Sequence, residues 1–408
     1  MMNSSGQVRD ISRLVTGFSI TEDLFSPVLV LNLSIRDSVN FMEEFGLTGQ
    51  ETIRVELTRK NHESFGRTGT VKLDFVVLEY QNHSRDENSW HVQNYSLTAI
   101  SDFAYISGLK KISRAISGNT ADLIAQILHD DLNIDASRIV REGEPTSKFS
   151  GVLNIQTPLA AVKWLIKKTF DSNGSPYFIH QPISTGKLII RPYLDLIKNQ
   201  DSYATYTRDY AAVSNAGTRS GFVEGASKIL EMKSNLGFNR LSQAQRGAFA
   251  SSTNFLDVST KTYWNRKFNN ASSGNGLSFL TDKSTESGSK LSALSDCSIN
   301  EVHVNTLAFG PDGDGARTGG FDQAVHNAYS AMAQSESYSH ALVLNGDFEL
   351  NPGRLITLQI PRSINPELHP ESRSDLTDLS LSGQYLIKNT VHSFQSGTYH
   401  SAIKVIRN

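Results

Sequence analysis

Apolar and polar residues alternate with a period of two over much of the first hundred positions. From Glu51 to Lys60, Ile53, Val55 and Leu57 fall on one face of an extended chain, and Arg54, Glu56 and Thr58 on the other. Thr70 to Tyr80 sets Val71, Leu73, Phe75 and Val77 on one face, and Trp90 to Ile100 reads as a further strand. Pro27 to Arg36 is a nearly continuous apolar run, which predicts a strand buried on both faces. Between these runs, Asp37 or Ser38 can cap a short helix whose buried stripe is Phe41, Met42 and Phe45. The opening module therefore reads as a β-barrel carrying one small helix.

The period changes near Gly108. Leu123, Ile124, Ile127 and Leu128 recur at helical spacing between Thr120 and Leu132, after an Asn119-Thr120 cap. A second helix opens at Thr157-Pro158 and runs to about Phe170, with Leu159, Val162, Leu165 and Ile166 on its apolar face. Tyr177 to His180 and Lys187 to Arg191 read as a hairpin. Strands resume at Lys228–Met232, Gly247–Phe255 and Thr260–Phe268. The tract from Asn269 to Ser298, rich in Ser, Gly and Asn, predicts a long exposed excursion, with Glu301 to Ala308 as a weak strand after it. Phe321 to Ser335 predicts a helix with Phe321, Ala324, Ala328 and Met332 on one face.

The last seventy residues are short strands punctuated by Asn-Gly, Pro-Gly and Ser-Gly, the signature of a compact antiparallel barrel or sandwich. Arg362 to Ser382 reads as an exposed rim. A three-residue turn at Gln395-Ser396-Gly397 would set His392 opposite His400, Lys388 opposite Lys404, and Ile387 opposite Val405. Like charges paired across strands are unfavourable, so a bulge that shifts the register is the simple remedy. A wet face meeting an acidic partner subunit or a pore is the other explanation. The fold class is thus mainly β with α+β insertions. Residues 1–108 form a first β-barrel domain, 109–205 an α+β insertion, 206–268 with 321–408 a second β-barrel domain, and 269–320 a flexible Ser/Gly-rich insertion.

Composition narrows the function. The 408 residues carry 39 Lys plus Arg against 41 Asp plus Glu, a formal charge of −2. That balance argues against gripping nucleic acid or anionic lipid over the whole surface, though not against letting nucleic acid through a pore. A single cysteine, Cys297, rules out an internal disulfide framework and fits assembly in a reducing cytoplasm. The polar N-terminus has no apolar signal core, and no window approaches eighteen unbroken apolar residues.

Candidate chemistry is sparse. His129-Asp130-Asp131 closes a helix and reads as a solvated helix end sooner than a metal site. Gly310 to Gly315 resembles a calcium loop faintly, but Ala316 and Gln323 stand where ligands are required. Gly274-x-Gly276 opens no helix, no Gly-x-Ser-x-Gly elbow occurs, and the zinc spacings are missing. Lys110, Lys111 and Arg114 form a small basic run after a strand, which reads as a solvated domain junction sooner than a nucleic-acid contact. No catalytic, cofactor-binding or metal-ligating residue is assigned, and no cofactor is implied.

Two segments carry a resemblance. The first runs from Ile35-Arg36-Asp37-Ser38-Val39-Asn40-Phe41 through Leu47-Thr48-Gly49-Gln50-Glu51-Thr52-Ile53-Arg54-Val55. The second is Gly346-Asp347-Phe348-Glu349-Leu350-Asn351-Pro352-Gly353 with the hairpin from Tyr385 to Val405, preceded by the helix Phe321 to Ser335. In this order they resemble the two tail-tube-like domains of baseplate central hub proteins in contractile-tailed bacteriophages. The resemblance implies a non-enzymatic homotrimer whose six tube-like barrels adapt a sixfold tail tube to a threefold central spike. It further implies a channel for the tape measure protein and DNA in transit, and contacts with a tail tube protein or tube-initiating ring and other baseplate proteins. No stable membrane insertion is implied. The expected location is the virion tail baseplate, assembled in the host cytoplasm. The hub part of type VI secretion spikes belongs to the same mechanical class. That family usually continues into a spike domain, whereas this chain ends at Asn408 after the hub hairpin, which favours a phage tail. The opposing class is a cell-wall or glycan hydrolase on a β scaffold, because paired carboxylates are recognised only by their separation in space.

Overall fold

The alternation read above makes the terminal strands one-sided, and one-sided strands must share a sheet. The computed structural model describes residues 1–3, 5–58, 70–86, 89–198, 201–208, 227–235, 240–247, 249–269, 298–309, 320–335, 338–361, 378, 380–395 and 397–407. The N-terminal part is β1 (Val15–Asp23), β2 (Ser26–Asp37), α1 (Phe41–Phe45), β3 (Thr52–Thr58), β4 (Thr70–Asp86) and β5 (Ser89–Ser101). The middle holds α2 (Asp102–Leu109), β6 (Ile112–Asn119), α3 (Thr120–Gln126), β7 (Ile139–Arg141), β8 (Lys148–Gln156), α4 (Pro158–Ile166), β9 (Tyr177–His180), β10 (Leu188–Pro192), α5 (Tyr193–Lys198) and β11 (Thr205–Thr207). Then follow β12 (Ile229–Asn235), α6 (Arg240–Gln245), β13 (Ala250–Asp257), β14 (Thr262–Asn269), β15 (Ile299–His303), α7 (Phe321–Ser335), β16 (Tyr338–Asn345), β17 (Leu355–Gln359), β18 (Gly383–Gln395) and β19 (Thr398–Arg407). The fold is mainly β with inserted α and β elements.

Among the described residues, one 11-stranded sheet runs β12-β16-β19-β18-β1-β2-β5-β4-β3, with β17 on β18 and β11 on β17. Every pairing on the long path is antiparallel, and β11–β17 is parallel. The first and last parts of the chain are therefore one sheet, joined where β1 pairs β18 from Gly17↔Gln395 to Asp23↔Asn389. Beneath the N-terminal half lies a core of Ile20, Leu31, Leu33, Ile35, Phe75 and Leu97; beneath the C-terminal half, Leu342, Leu344, Ile356, Tyr385, Ile387 and Val405. A third core gathers α3, α4, β8, β9 and β10 with Phe255, Phe309 and Phe321. Each fully buried Leu, Ile or Phe is worth about 1.5–3 kcal/mol of transfer free energy.

Local signals explain several boundaries. Asn119 Oδ1 accepts the Ala121 N–H at 3.0 Å and Thr157 Oγ1 accepts that of Ala160 at 3.3 Å, so both helices start on their caps. The first continues as a π-helical turn, Ile127–Asp131, and the second stops at Ile166, before the predicted Phe170. The cap residue of α1 is Asn40, left-handed and without a side-chain cap bond, in place of the expected Asp37 or Ser38; Asp37 still accepts the Met42 N–H (3.1 Å) and the Val39 N–H (3.0 Å) from upstream. Glu301 to Ala308 splits into β15 and a 3-10 turn at Thr306–Phe309.

Four further expectations need correction. Pro27 to Arg36 is buried on one face only, because Asn32, Ser34 and Arg36 alternate with Leu31, Leu33 and Ile35 and stay exposed. Lys110 follows a helix, α2, and not a strand. In α7, Met332 is 48% exposed, while Asp322, His326, Asn327 and Ser330 are buried beside Phe321 and Ala324. The helix packs a polar face, fixed by Arg266–Asp322 at 2.6 Å and Asn327 Nδ2 donating to Gly174 O at 2.9 Å. In the last hairpin His392 faces Ser401, Asn389 faces Lys404, and a bulge displaces Lys388 while Ile387 still faces Val405. The displaced Lys388 carbonyl accepts the Leu24 N–H at 2.9 Å, so the bulge separates the like charges and also ends β1. Cys297 and the glycine runs near 274 and 310 lie outside the described residues, as does most of the 362–382 rim.

Three buried histidines are neutral. Burial lowers His326 to about 4, with Nδ1 2.9 Å from Ser251 Oγ and the ring stacked on Phe268. His340 is also lowered to about 4, by burial and then by Arg407. Its neighbour Tyr385 donates its one proton to Leu381 O, so His340 Nε2 must donate to the Tyr385 oxygen. Burial, then Arg191, lowers His180 to about 3. Because these folded-state values are depressed, their stabilising contribution is present above the unfolded value near 6.5 and is lost as pH falls toward 4. The urea midpoint should therefore be clearly lower near pH 4.5 than near pH 7. An unchanged midpoint would contradict neutral burial.

Candidate functional site: a buried junction and an exposed sheet face

The segment from Gly346 to Arg354, singled out in the sequence, is where the parts of the chain meet. Gly346 lies under the Tyr399 ring. A Cβ there would stand 1.9 Å from Tyr399 Cδ1, so only glycine fits. The Asp347 N–H donates to Ser401 Oγ at 3.0 Å. The Asp347 carboxylate accepts from Tyr203 OH at 2.7 Å and from the Glu349 N–H at 3.0 Å. Burial and then Asp347 push the Tyr203 hydroxyl well above its usual range. Phe348 packs on Tyr399 with ring centroids 4.8 Å apart, and Arg354 pairs Glu349 at 2.6 Å. Asn351 Nδ2 donates to Ser184 Oγ at 2.6 Å. Gly353, at φ +88°, donates its N–H to Ile387 O and leaves room for Leu196, Leu24 and His180.

The β9–β10 turn reaches into this junction. Ile183 is fully buried in the N-terminal core, Ser184 meets Asn351, and Gln181 Nε2 closes the turn on Gly186 O at 3.1 Å. The middle of the chain is thereby plugged into the first module and tied to the last.

Under the β1–β18 ladder, His392 Nε2 lies 3.0 Å from Glu22 Oε1, and both side chains are fully buried. His392 Nδ1 lies 2.7 Å from Tyr399 OH and 3.3 Å from Ser401 Oγ. Hydroxyl, imidazole and carboxylate thus stand in the order of a nucleophilic triad. Ser401, however, is fully buried beneath the sheet and accepts the Asp347 N–H. This arrangement packs strands together and presents no nucleophile. Burial pushes Glu22 above the usual carboxylate range, with His392 and the Ile183 amide opposing.

The other sequence candidates resolve into structural contacts. Arg114 grips the Asp131 carboxylate with both terminal nitrogens (3.1 and 2.7 Å), Lys110 Nζ donates to Asp131 O, and His129 Nδ1 sits 2.9 Å from Ile134 O. The basic run therefore neutralises the acidic helix end. In the first resembling segment, the Glu51 carboxylate accepts the Thr48 and Gly49 amides, an anion held by a turn. Among the described residues, no group of three or more His, Cys, Asp or Glu is placed to hold a metal ion.

Around the seam, the sheet face opposite the cores is exposed or half-buried apart from the buried Gly17, and the register writes it out in rows. One row is Gln395, Gly17, Ser34, Ser96 and Gln81; the next is Ser393, Ser19, Asn32, Thr98 and Glu79. Thr98 Oγ1 donates to Asn32 Oδ1 at 3.0 Å across strands. Around the seam this face is paved with hydroxyls and amides; farther out it carries Arg54, Glu56, Lys72 and Asp74 in ion pairs, and Leu386 and Ile406 buried with Tyr193 and Leu196 of α5. Sequence reading missed it because β1 and its pairing to β18 were not foreseen.

No protein-family model matches the sequence, and no curated protein matches it. Among solved structures, the tail protein from Neisseria meningitidis MC58 is similar with a TM-score of 0.54 at 10% identity, over 97% of this chain and 92% of that one. The 43 kDa tail protein of prophage MuSo2 from Shewanella oneidensis aligns with a TM-score of 0.49 at 11% identity, over 96% and 94%. An E. coli component of the type VI secretion system gives 0.43 at 10% identity, over 97% and 73%. The first of these likenesses establishes a shared fold.

Two substitutions test the junction. Gly346→Ala should cost about 1–3 kcal/mol or more by driving a methyl into Tyr399, and Ile183→Ala about 2–5 kcal/mol by emptying its pocket. Urea unfolding measures both; variants as stable as the parent would show that the junction is not packed this way.

Proposed function

We propose that this chain is the structural hub of a contractile tail baseplate. In this reading it acts as a homotrimer that joins a sixfold tail tube to a threefold central spike and lines a channel for tape measure protein and DNA. The observation that carries the proposal is the continuous sheet spanning both ends of the chain, with an outer face of hydroxyls and amides around the seam. Two sheet modules per chain supply six from three copies, which is the number needed to meet sixfold symmetry with threefold symmetry. The strands β3 and β12 end the sheet path, and beyond Thr52, which Met2 already pairs, their outer edges offer backbone donors and acceptors to neighbouring copies.

The outer face suits a conduit. A row of Lys and Arg would hold a polyanion through its phosphates, and a broad apolar surface would hold a protein strand. Ser19, Asn32, Ser34, Ser96, Thr98 and Ser393 do neither. The buried Ser401–His392–Glu22 chain supports a mechanical role over a hydrolytic one. A hub in a type VI-like injection system is the same reading with a different spike.

Light scattering on the purified protein, alone and with the tail's spike protein, tests the proposal. The expected mass is about three times 45.0 kDa, either in the free protein or once spike is added. A stable monomer indifferent to spike would overturn it.

A further inference from the structure

The Glu22–His392 pair lies where the N-terminal and C-terminal cores meet, on the inner side of the ladder that joins them. Its surroundings are specific. From β19 come the Tyr399 hydroxyl at 2.7 Å and Ser401. From the 346–354 segment come the Phe348 ring and Asp347, whose carboxylate is turned away to Tyr203 and the Glu349 amide. From the β9–β10 turn comes the Ile183 amide, and at the end of β9 His180 sits beside Gly353. Lys388, on the same strand as His392, sends its ammonium over the Phe25 ring. Among the described residues, His392 is the one basic side chain paired with Glu22.

We infer that Glu22 and His392 together hold one proton at neutral pH, and that this proton locks β1 to β18. With the proton present the buried pair carries no net charge, either as carboxylate and imidazolium or as carboxyl and imidazole. Nε2 stands 3.0 Å from Oε1, and Nδ1 stands 2.7 Å from the Tyr399 hydroxyl and 3.3 Å from that of Ser401. When the proton leaves to solvent, a carboxylate remains between two apolar cores with a neutral imidazole as partner. An uncompensated buried charge is strongly destabilising. The raised affinity of Glu22 for its proton, caused first by burial, agrees with this direction. The inference concerns the seam within one chain and stands whether or not the chain forms a ring.

Unfolded, the pair has lost its second proton above about pH 6.5, the ordinary histidine value. Folded, it keeps that proton, so the pair's contribution to stability falls as pH rises above that value. Lys168, lowered to about 8 by burial and then by Lys167, the N-terminal amine, lowered by burial, and the three neutral histidines also contribute to the slope near this range, and do so equally in a variant of the pair.

The experiment is urea unfolding of the full chain between about pH 6.5 and about pH 8, for the wild type and Glu22→Gln. Relative to Glu22→Gln, whose amide oxygen can accept from a neutral His392, the wild-type folding constant should fall about tenfold per pH unit, as for one linked proton. A variant with the wild-type slope would overturn the inference. Should that variant fail to fold, Glu22→Leu with His392→Leu, which replaces the pair by apolar side chains, takes its place; toward about pH 8 the wild type should still fall about tenfold per pH unit relative to it, and equal slopes overturn the inference.

Discussion

Everything in this fold depends on the seven residue pairs that join β1 to β18. They bring residues 17–23 against residues 389–395, almost the full length of the chain apart. The entropy of closing so long a loop grows only slowly with its length, so the cost is tolerable. Once it forms, β1 lies between β2 and β18, and neither terminal module has a free edge at the seam. Two sheets that would otherwise expose strand edges become one surface.

The seam is fixed by more than backbone pairing. Slipping β18 by one residue would turn His392 and Thr390 outward and bring Val391 and Ser393 onto the cores. The bulge at Lys388, the Gly346–Tyr399 contact and the β9–β10 turn all oppose that slip. Buried polar groups are a poor source of stability, and Glu22, His392, His180 and Asn351 all keep buried atoms without a hydrogen-bond partner among the described residues. Their concentration at one junction is what a device for specifying register requires. The same junction ties the inserted middle of the chain to both ends, so the insertion cannot swing free of the sheet.

Much of this was legible in the sequence where one physical term dominates. Strict alternation marked β3 and β4, and Asn119 and Thr157 marked helix starts. The Asn-Gly and Pro-Gly turns marked the 346–353 segment that forms the junction. What stayed hidden depends on partners far along the chain. The strand β1 carries Gly17 and the buried Glu22, each of which weakens a strand signal until β18 is in place. The polar face of α7 could not be told from a solvated one, because Arg266, Ser251 and Gly174 come from separate elements. The hairpin register turned on a bulge that the Leu24 amide stabilises from across the seam. The candidate site was readable as a motif, but its chemistry was not, since Glu22 and His392 belong to no local pattern.

Hydrogen–deuterium exchange resolved along the chain tests most directly whether the two ends form one body. The amides of β1 and β18 should be protected to the same degree as those of β2 and β19, and all four strands should lose protection together as denaturant rises. If β1 and β18 exchange as fast as the terminal strands β3 and β12, or if the two halves open in separate steps, the continuous sheet is not what holds this protein together.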